Sequence, residues 1–246
     1  MAYDFNGSNQ YLSLATEPVT AVPLTMAAWG YADNGLFGAD GEWVILNLSD
    51  TDARPEFTIE FGRDGGVTNI LAMVFAASGG FAISATNPVV DTWYHVGGVF
   101  TSATSRTVYV NGVADGSDTT NLTPTGISDL YVGSRFDLSV QQKKLNGKVA
   151  EAAIWNVALT AAEMAILGRG YSPLFVRPES LVFYAPLVRG LQEYIAGTSL
   201  TNNNTATVFI HPRIIYPSPA QIRRFGTAVA PPTVEFLSRL SLLGVG

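Results

Sequence analysis

Two glutamates on one short segment are the first residues whose spacing could support chemistry. Glu56 and Glu60 fall on the same face of the alternating stretch EFTIEFG. Enzymes that hydrolyse glycosidic bonds hold two carboxyl groups about 5 Å apart when they retain configuration and roughly 6.5–9.5 Å apart when they invert it. Residues i and i+4 of a strand lie roughly 13 Å apart along the chain. The pair therefore predicts a solvated strand face, not a hydrolase.

The two histidines and the lack of cysteine restrict the remaining catalytic chemistry. His95 lies inside the apolar segment WYHV and His211 directly precedes Pro212, so we expect a packed residue and a junction residue. Without cysteine, thiolate metal sites and cysteine nucleophiles are excluded. No Gly-rich loop follows a strand and opens a helix, as a phosphate site requires. The sequence predicts a non-enzymatic protein with no catalytic residues.

The composition is apolar and acidic. Of 246 residues, 47% are hydrophobic and 14% charged, against a typical charged share of about 25%. A formal net charge of −6 without a Lys/Arg block argues against nucleic acid as a partner. The start MAYDFNGSNQYLSL has no apolar signal-peptide core, and no apolar run approaches the roughly 18 residues that span a bilayer. We expect synthesis in a cytoplasm and no membrane partner.

The elements that would position any site are predicted to be short strands. Residues 92–112, TWYHVGGVFTSATSRTVYVNG, predict two strands joined by a polar loop, and Asn111-Gly112 is a tight-turn signal. The first of these strands is apolar on both faces, as in the middle of a sandwich. Leu24 to Ala32 predicts a core strand, with Trp29 and Trp93 expected in the core. Strands separated by Gly, Asn and Asp at near-regular spacing favour a sandwich or jelly roll.

Three motifs carry a resemblance to a known family. They are F-N-G-S-x-x-Y-L at 5–12, WYHV…VYVNG at 93–112, and GKVAEAAIWNVALTAAEMAILGRG at 147–170. In this order they resemble laminin-G-like, or concanavalin A-like, jelly-roll domains of phage and bacterial proteins. The resemblance implies an all-β, two-sheet antiparallel sandwich with one short helix, for which Thr160 and Glu163 form a capping box and Gly168 a C-cap. We place this domain at 1–170, its closing strands and loops at 171–210, and an irregular C-terminal arm at 211–246.

The resemblance also implies calcium as a possible ion, held by acidic loops at the rim of the sandwich. Asp50 with Asp52 is the candidate pair, and the loop carrying Asp33, Asp40 and Glu42 is an alternative. Neither matches a tight metal-binding spacing. Asp is also a common turn residue, so our prediction is no obligatory cofactor.

Sugar binding would need an exposed aromatic platform beside polar loops. Trp43, next to Gly41 and Glu42, and Phe37 are the candidates. The alternative is that Trp43 starts a strand and packs at its end.

The C-terminal arm is rich in proline yet too apolar for a free linker. Such a segment needs a surface, either on its own sandwich or on a neighbouring subunit. The residues predicted to bind a partner are Ile214, Ile215, Tyr216, Phe225, Phe236, Leu237, Leu240 and Leu243.

The sequence favours a structural or interaction protein of a virus particle, most concretely a tailed-phage capsid decoration or other virion surface protein. Its arm would bind neighbouring protein subunits in a homo-oligomer, such as a trimer, on the virion. The alternative is a carbohydrate-binding lectin or adhesin module, calcium-dependent or not, at an extracellular surface. Because a fold does not dictate a function, this step is analogy.

Overall fold

The computed structural model describes residues 2–33, 42–50, 55–64, 67–76, 78–188 and 190–218. Within these residues the chain forms short strands, one α-helix and a 3-10 turn at Pro173–Phe175. The elements in chain order are β1 (Ala2–Asn6), β2 (Tyr11–Leu14), β3 (Leu24–Ala32), β4 (Trp43–Ser49), β5 (Glu56–Asp64), β6 (Val67–Phe75), β7 (Gly79–Ile83), β8 (Trp93–Ser102), β9 (Ser105–Val110), β10 (Val113–Asp118), β11 (Asp129–Val132), β12 (Arg135–Asp137), β13 (Val140–Gln142), β14 (Asn146–Trp155), α1 (Ala161–Gly168), β15 (Leu181–Ala185), β16 (Thr201–Asn203) and β17 (Thr207–Phe209).

Two antiparallel sheets form a sandwich, as predicted. Sheet A has the order β10-β9-β8-β3-β14-β1-β17, and β15 also pairs with β14. Sheet B has the order β16-β2-β11-β4-β5-β6-β7. The separate hairpin of β12 and β13 completes the described strands. Because β15, β16 and β17 join these two sheets, the closing segment belongs to the same sandwich.

The period-2 pattern of β3 shows how the sequence makes its layers. Leu24, Met26 and Ala28 point into the main core between the sheets, whereas Ala27 belongs to a second core on the outer face of sheet A. Strand β3 is therefore covered on both faces over its first half.

Helix α1 covers that half of the outer face. Thr160 and Glu163 form the predicted capping box, and Met164 lies over Gly97 of β8, where an added Cβ would be 2.2 Å from its Cε. Gly168 is the last helical residue, not the C-cap, which is Arg169. The glycine is needed because the helix end packs against the backbone of Asn111.

Three connections between the main strands complete the fold. Residues 113–118 form β10, because the Asn111-Gly112 turn returns the chain alongside β9. The polar stretch at 137–144 contributes to the hairpin of β12 and β13. Strands β1 and β2 enter different sheets, and β1 pairs with the late strand β17. Among the described residues, no helix is long and apolar enough to cross a membrane.

Candidate functional site

The half of the outer face of sheet A that α1 leaves uncovered carries a line of aromatic side chains. Trp93, Tyr31 and Phe209 come from β8, β3 and β17, and we call them the aromatic row. The ring centroids of Trp93 and Tyr31 lie 5.4 Å apart, and those of Tyr31 and Phe209 lie 6.2 Å apart. Trp93 and Tyr31 are half-buried, and Phe209 is 38% exposed. The expectation that Trp93 belongs to the core is therefore wrong.

Strand register aligns this row. Tyr31 pairs with Trp93 on one side and with Lys148 on the other. Lys148 in turn pairs with Asp4 of β1, and Asp4 pairs with Thr207 of β17. Directly paired residues share a face of the sheet, and neighbouring strands lie about 4.8 Å apart. The alternation within each strand and the order of the strands thus produce a nearly continuous apolar strip.

Lys148 is fixed beneath this strip. Its Nζ lies 4.8 Å from the ring centroid of Tyr31 and 4.5 Å from that of Phe209. It also forms ion pairs with Asp33 and, at 3.4 Å, with Asp4. Its side chain is 6% exposed. Ring faces attract cations, so two rings and two carboxylates hold the ammonium group in place.

Carboxylates line the edge of the row. Burial raises the pKa of Asp4, and the attraction of Lys148 opposes that rise. The hydroxyl of Tyr31 donates a hydrogen bond of 3.2 Å to Oδ1 of Asp91. Burial raises the pKa of Tyr31, and the negative charge of Asp91 raises it further.

A polar cleft of about 270 Å³ adjoins the row at the Asp4 and Asp33 end. Its wall offers carboxylates and amides, which accept and donate hydrogen bonds in fixed directions. The lining residues are Asp4, Phe5, Asn6, Gln10, Asp33, Asn146 and Thr207. An apolar strip beside a few convergent polar groups is the usual form of a small-molecule site.

A second aromatic pair lies next to the row. Trp29 is half-buried, so its predicted core position is only partly correct, and its ring meets that of His95 edge-on at 5.6 Å. His95 is buried, as predicted, and burial lowers its pKa to about 3. The ring is therefore neutral at physiological pH. Its Nδ1 has no hydrogen-bond partner among the described residues.

The outer face of β5 differs from the solvated face that the sequence predicts. Glu56 and Glu60 are buried, because the hairpin of β12 and β13 brings Arg135 over this face. Nη1 of Arg135 lies 3.1 Å from Oε1 of Glu56, and Nη2 lies 3.6 Å from a carboxylate oxygen of Glu42. The predicted alternation of β5 is confirmed, since Phe57, Ile59 and Phe61 lie in the main core, but sequence pattern alone does not show what covers the other face of a strand.

These two glutamates occupy different environments. Glu56 accepts hydrogen bonds from Arg135 and from Nδ2 of Asn47, at 3.0 Å. Neither carboxylate oxygen of Glu60 has a hydrogen-bond partner among the described residues. Burial raises the pKa of Glu60 to about 8, and the positive charge of Arg135 opposes that rise. Glu60 is therefore largely protonated at neutral pH.

The predicted calcium and sugar residues fall only partly within the described chain. Asp50 is half-buried, whereas Asp52 and Phe37 lie outside the described residues. In the described part of the chain, no three His, Asp or Glu side chains form a metal-binding group, and calcium stays a prediction. Trp43 is half-buried against the main core, which matches the alternative that it packs at the start of its strand.

The first residues of the C-terminal arm lie on their own sandwich. We call residues 211–217 the strap. The N–H of Ile215 donates to the carbonyl of Gly170 at 2.8 Å, and the N–H of Ser172 donates to the carbonyl of Ile215 at 2.9 Å. Ile214 is half-buried, and Ile215 and Tyr216 are 46% and 43% exposed. The predicted partner residues Phe225, Phe236, Leu237, Leu240 and Leu243 lie outside the described part.

A buried carboxylate fixes the strap. Glu151 sits at a bulge of β14, at a φ of 54°, and a bulge redirects a side chain. Oε2 of Glu151 accepts from the hydroxyl of Tyr184 at 2.6 Å, and Oε1 accepts from that of Tyr216 at 2.5 Å. Nε2 of His211 lies 3.1 Å from Oε1. Burial, reinforced by the charge of Glu151, raises the pKa of both tyrosines.

Sequence reasoning did not find the aromatic row, although part of its signal was present. The alternation of LTMAAWGYA puts Trp29 and Tyr31 on one face of β3. Trp29 is expected in the core because large aromatic residues are highly buried on average. Only the position of α1 shows which half of that face stays open. The contribution of Phe209 depends on a pairing between distant parts of the chain.

Several solved structures share this fold. A heptameric SAP-like pentraxin from Limulus polyphemus is 17% identical, with 68% of this chain and 81% of that chain covered and a TM-score of 0.56. Domain 4 of a GH43 extracellular arabinanase from Geobacillus stearothermophilus, in complex with arabinotriose, is 18% identical, with 68% and 76% covered and a TM-score of 0.53. The CBM40 of Ruminococcus gnavus IT-sialidase, bound to α2,3 sialyllactose, is 8% identical, with 68% and 98% covered and a TM-score of 0.54.

At such identities these likenesses show the fold alone. No curated protein matches the chain. Residues 6–165 match a family described as the concanavalin A-like lectin/glucanases superfamily. This match covers most of the first and third sequence motifs, the whole of the second, and all strands from β2 to β14. The chain therefore belongs to the concanavalin A-like lectin/glucanases superfamily, in its laminin-G-like branch.

Proposed function

We propose that this chain is a carbohydrate-binding, lectin-like module that holds its glycan along the aromatic row. The observation that carries the proposal is the row itself, with the polar cleft at its end. Sugar rings present apolar C–H faces that pack on aromatic rings, and hydroxyls that need hydrogen-bond partners. The row offers the first kind of surface and the cleft offers the second.

The relatives support a binding role. Two of the structural neighbours hold sugars, arabinotriose in one and sialyllactose in the other. The family includes both lectins and glucanases, so binding and hydrolysis are both represented. For this chain we propose binding without hydrolysis, because Glu56 is engaged by Arg135 and Glu60 is buried. An extracellular surface is the place where such a module would meet glycans.

Glycan arrays followed by calorimetry test this proposal. Trp93→Ala should weaken binding of the best oligosaccharide about tenfold, because it removes one stacking surface. Phe81→Ala is the matched control, since Phe81 is an exposed aromatic residue of sheet B. Equal effects of the two substitutions, or no glycan bound, would overturn the proposal. Sugar released during the titration would contradict the non-hydrolytic part.

A second candidate function is assembly on a virion surface, as in a tailed-phage decoration protein. The observation that favours it is the strap, where half-exposed Ile215 and Tyr216 lie beside exposed Tyr171 and Tyr194. The apolar sequence beyond residue 218 would then bind neighbouring subunits. Light scattering on the full chain and on a chain ending at Ser218 tests this. We expect a multimer that becomes a monomer on truncation, and equal masses would contradict it.

A further inference from the structure

The charges around the aromatic row are unbalanced. Asp4, Asp33 and Asp91 contribute three carboxylates at its edge. Among the described residues of the row and its cleft, the positive charge comes from the side chain of Lys148. The neighbouring His95 is buried and neutral. Three carboxyl groups and one ammonium group leave the row with an excess of acidic side chains facing a ligand.

Lys148 is not free to bind an anion. Its ammonium group contacts Asp4 and Asp33 and lies against the rings of Tyr31 and Phe209. A sugar carboxylate could reach it only by displacing these partners, and would then approach the carboxylates itself. Like charges at such close range repel. An acidic sugar therefore gains no free cation and meets uncompensated negative charge.

A protonated amino group on a sugar, in contrast, finds favourable partners at the row. The rings of Tyr31 and Phe209 already lie against Lys148, so the ring of Trp93, next to Tyr31 in the row, supplies the face that attracts a further cation. Asp91 uses one carboxylate oxygen to accept from Tyr31, which leaves its other oxygen as an acceptor. The neighbouring cleft adds further carboxylate and amide oxygens.

From these contacts we infer that the aromatic row selects glycans carrying free amino groups and discriminates against glycans carrying carboxylates. This inference rests on the proposed function, because it names the class of sugar that the same row takes. It concerns charge alone, and N-acetylated or neutral sugars of equal length should bind with intermediate affinity.

Calorimetry with three tetrasaccharides tests the inference, using glucosamine, N-acetylglucosamine and galacturonic acid oligomers at pH 6. A surface ion pair contributes roughly twofold to fivefold to an affinity. The glucosamine tetramer should therefore bind about twofold to fivefold more tightly than the N-acetylated one, and the galacturonate tetramer most weakly. Raising salt from 50 to 300 mM should reduce the first difference, since exposed charges are screened.

Substitutions separate charge from stacking. Asp91→Asn should remove at least half of the logarithmic preference for the amine and leave the affinity for the N-acetylated tetramer within about twofold. Glu179→Gln is the control with the same charge change, because Glu179 is exposed near the start of β15, at the opposite end of sheet A. We expect no change in preference there.

The outcomes distinguish this inference from the proposed function. Binding of all three tetramers with equal affinity, or tightest binding of galacturonate, would overturn the inference while the glycan-binding function stands. Loss of preference in Glu179→Gln as large as in Asp91→Asn would also overturn it. Failure of every tetramer and of the array to bind would overturn both.

Discussion

Glu60 combines complete burial with a carboxylate that has no hydrogen-bond partner among the described residues. Arg135 belongs to the same cluster, but Nη1 of that guanidinium bonds Glu56. Removing a carboxylate from water favours its protonated form, which explains why the pKa of Glu60 rises to about 8. The group is therefore a source of pH-dependent stability.

The sign of that dependence follows from linkage. Between pH 4.5 and pH 8 the folded chain keeps a proton on Glu60 that the unfolded chain releases. The free energy of unfolding therefore falls as pH rises through this window. Glu60→Gln removes this titration. The free energy of unfolding of the variant minus that of the native protein should therefore increase by a few kcal/mol between pH 4.5 and pH 8.

Urea unfolding at several pH values measures this difference. The exposed Glu179 supplies the control, and Glu179→Gln should leave the pH dependence of stability unchanged. A Glu60→Gln curve parallel to that of the native protein would show that Glu60 is ionised in the folded state.

His95 should act in the opposite direction. Burial lowers its pKa to about 3, so between pH 3 and pH 6.5 the unfolded chain binds a proton that the folded chain excludes. Stability contributed by neutral His95 is present above pH 6.5 and is lost as pH falls towards 3. NMR of the imidazole carbons should show no titration of His95 in the folded protein down to about pH 4. In urea the same imidazole should titrate near pH 6.5. A folded-state midpoint above pH 5 would contradict this.

At the scale of elements, the end of α1 depends on a close backbone contact. An added Cβ at Gly168 would lie 2.4 Å from the carbonyl carbon of Asn111. Helix propensity alone favours alanine over glycine by about 1 kcal/mol. Because the Cβ would push the helix away from the turn at Asn111, we expect Gly168→Ala to destabilise the protein by about 2 kcal/mol. Thermal unfolding measures this.

Gly190→Ala is the matched control, because nothing lies within 4 Å of an added Cβ at that position. We expect its midpoint temperature to stay near that of the native protein. A Gly168→Ala variant as stable as Gly190→Ala would show that α1 does not need this approach.

The strap depends on hydrogen bonds to a buried carboxylate. Tyr216→Phe removes a donor to Glu151 and should cost about 1–3 kcal/mol, because a buried acceptor loses a partner. Hydrogen exchange of the Ile215 amide, which bonds to Gly170, should accelerate. Tyr194→Phe is the control, since Tyr194 is exposed. Unchanged exchange in Tyr216→Phe would mean that other contacts hold the strap.

At the scale of the whole molecule, the sequence predicted the sandwich well because its signals are local or periodic. Alternation in β3, the Asn111-Gly112 turn and the capping box at Thr160 each act within a few residues. The aromatic row, the burial of Glu60 and the anchoring of the strap depend on contacts between segments distant in sequence. Periodicity shows which residues share a face, but not what covers it.

Two truncations separate the strap from the sequence beyond it. A chain ending at Ser218 keeps Tyr216 and His211 on Glu151, whereas a chain ending at Ile210 leaves Tyr184 as the hydroxyl donor to that buried carboxylate. Because breaking the contacts of a buried charge costs several kcal/mol, we expect the shorter chain to melt at least several degrees below the longer one. The full chain should melt near the chain ending at Ser218 at low concentration, where assembly is weak. If the two truncated chains melted together, the strap would add no stability, and its apolar side chains would serve only a partner.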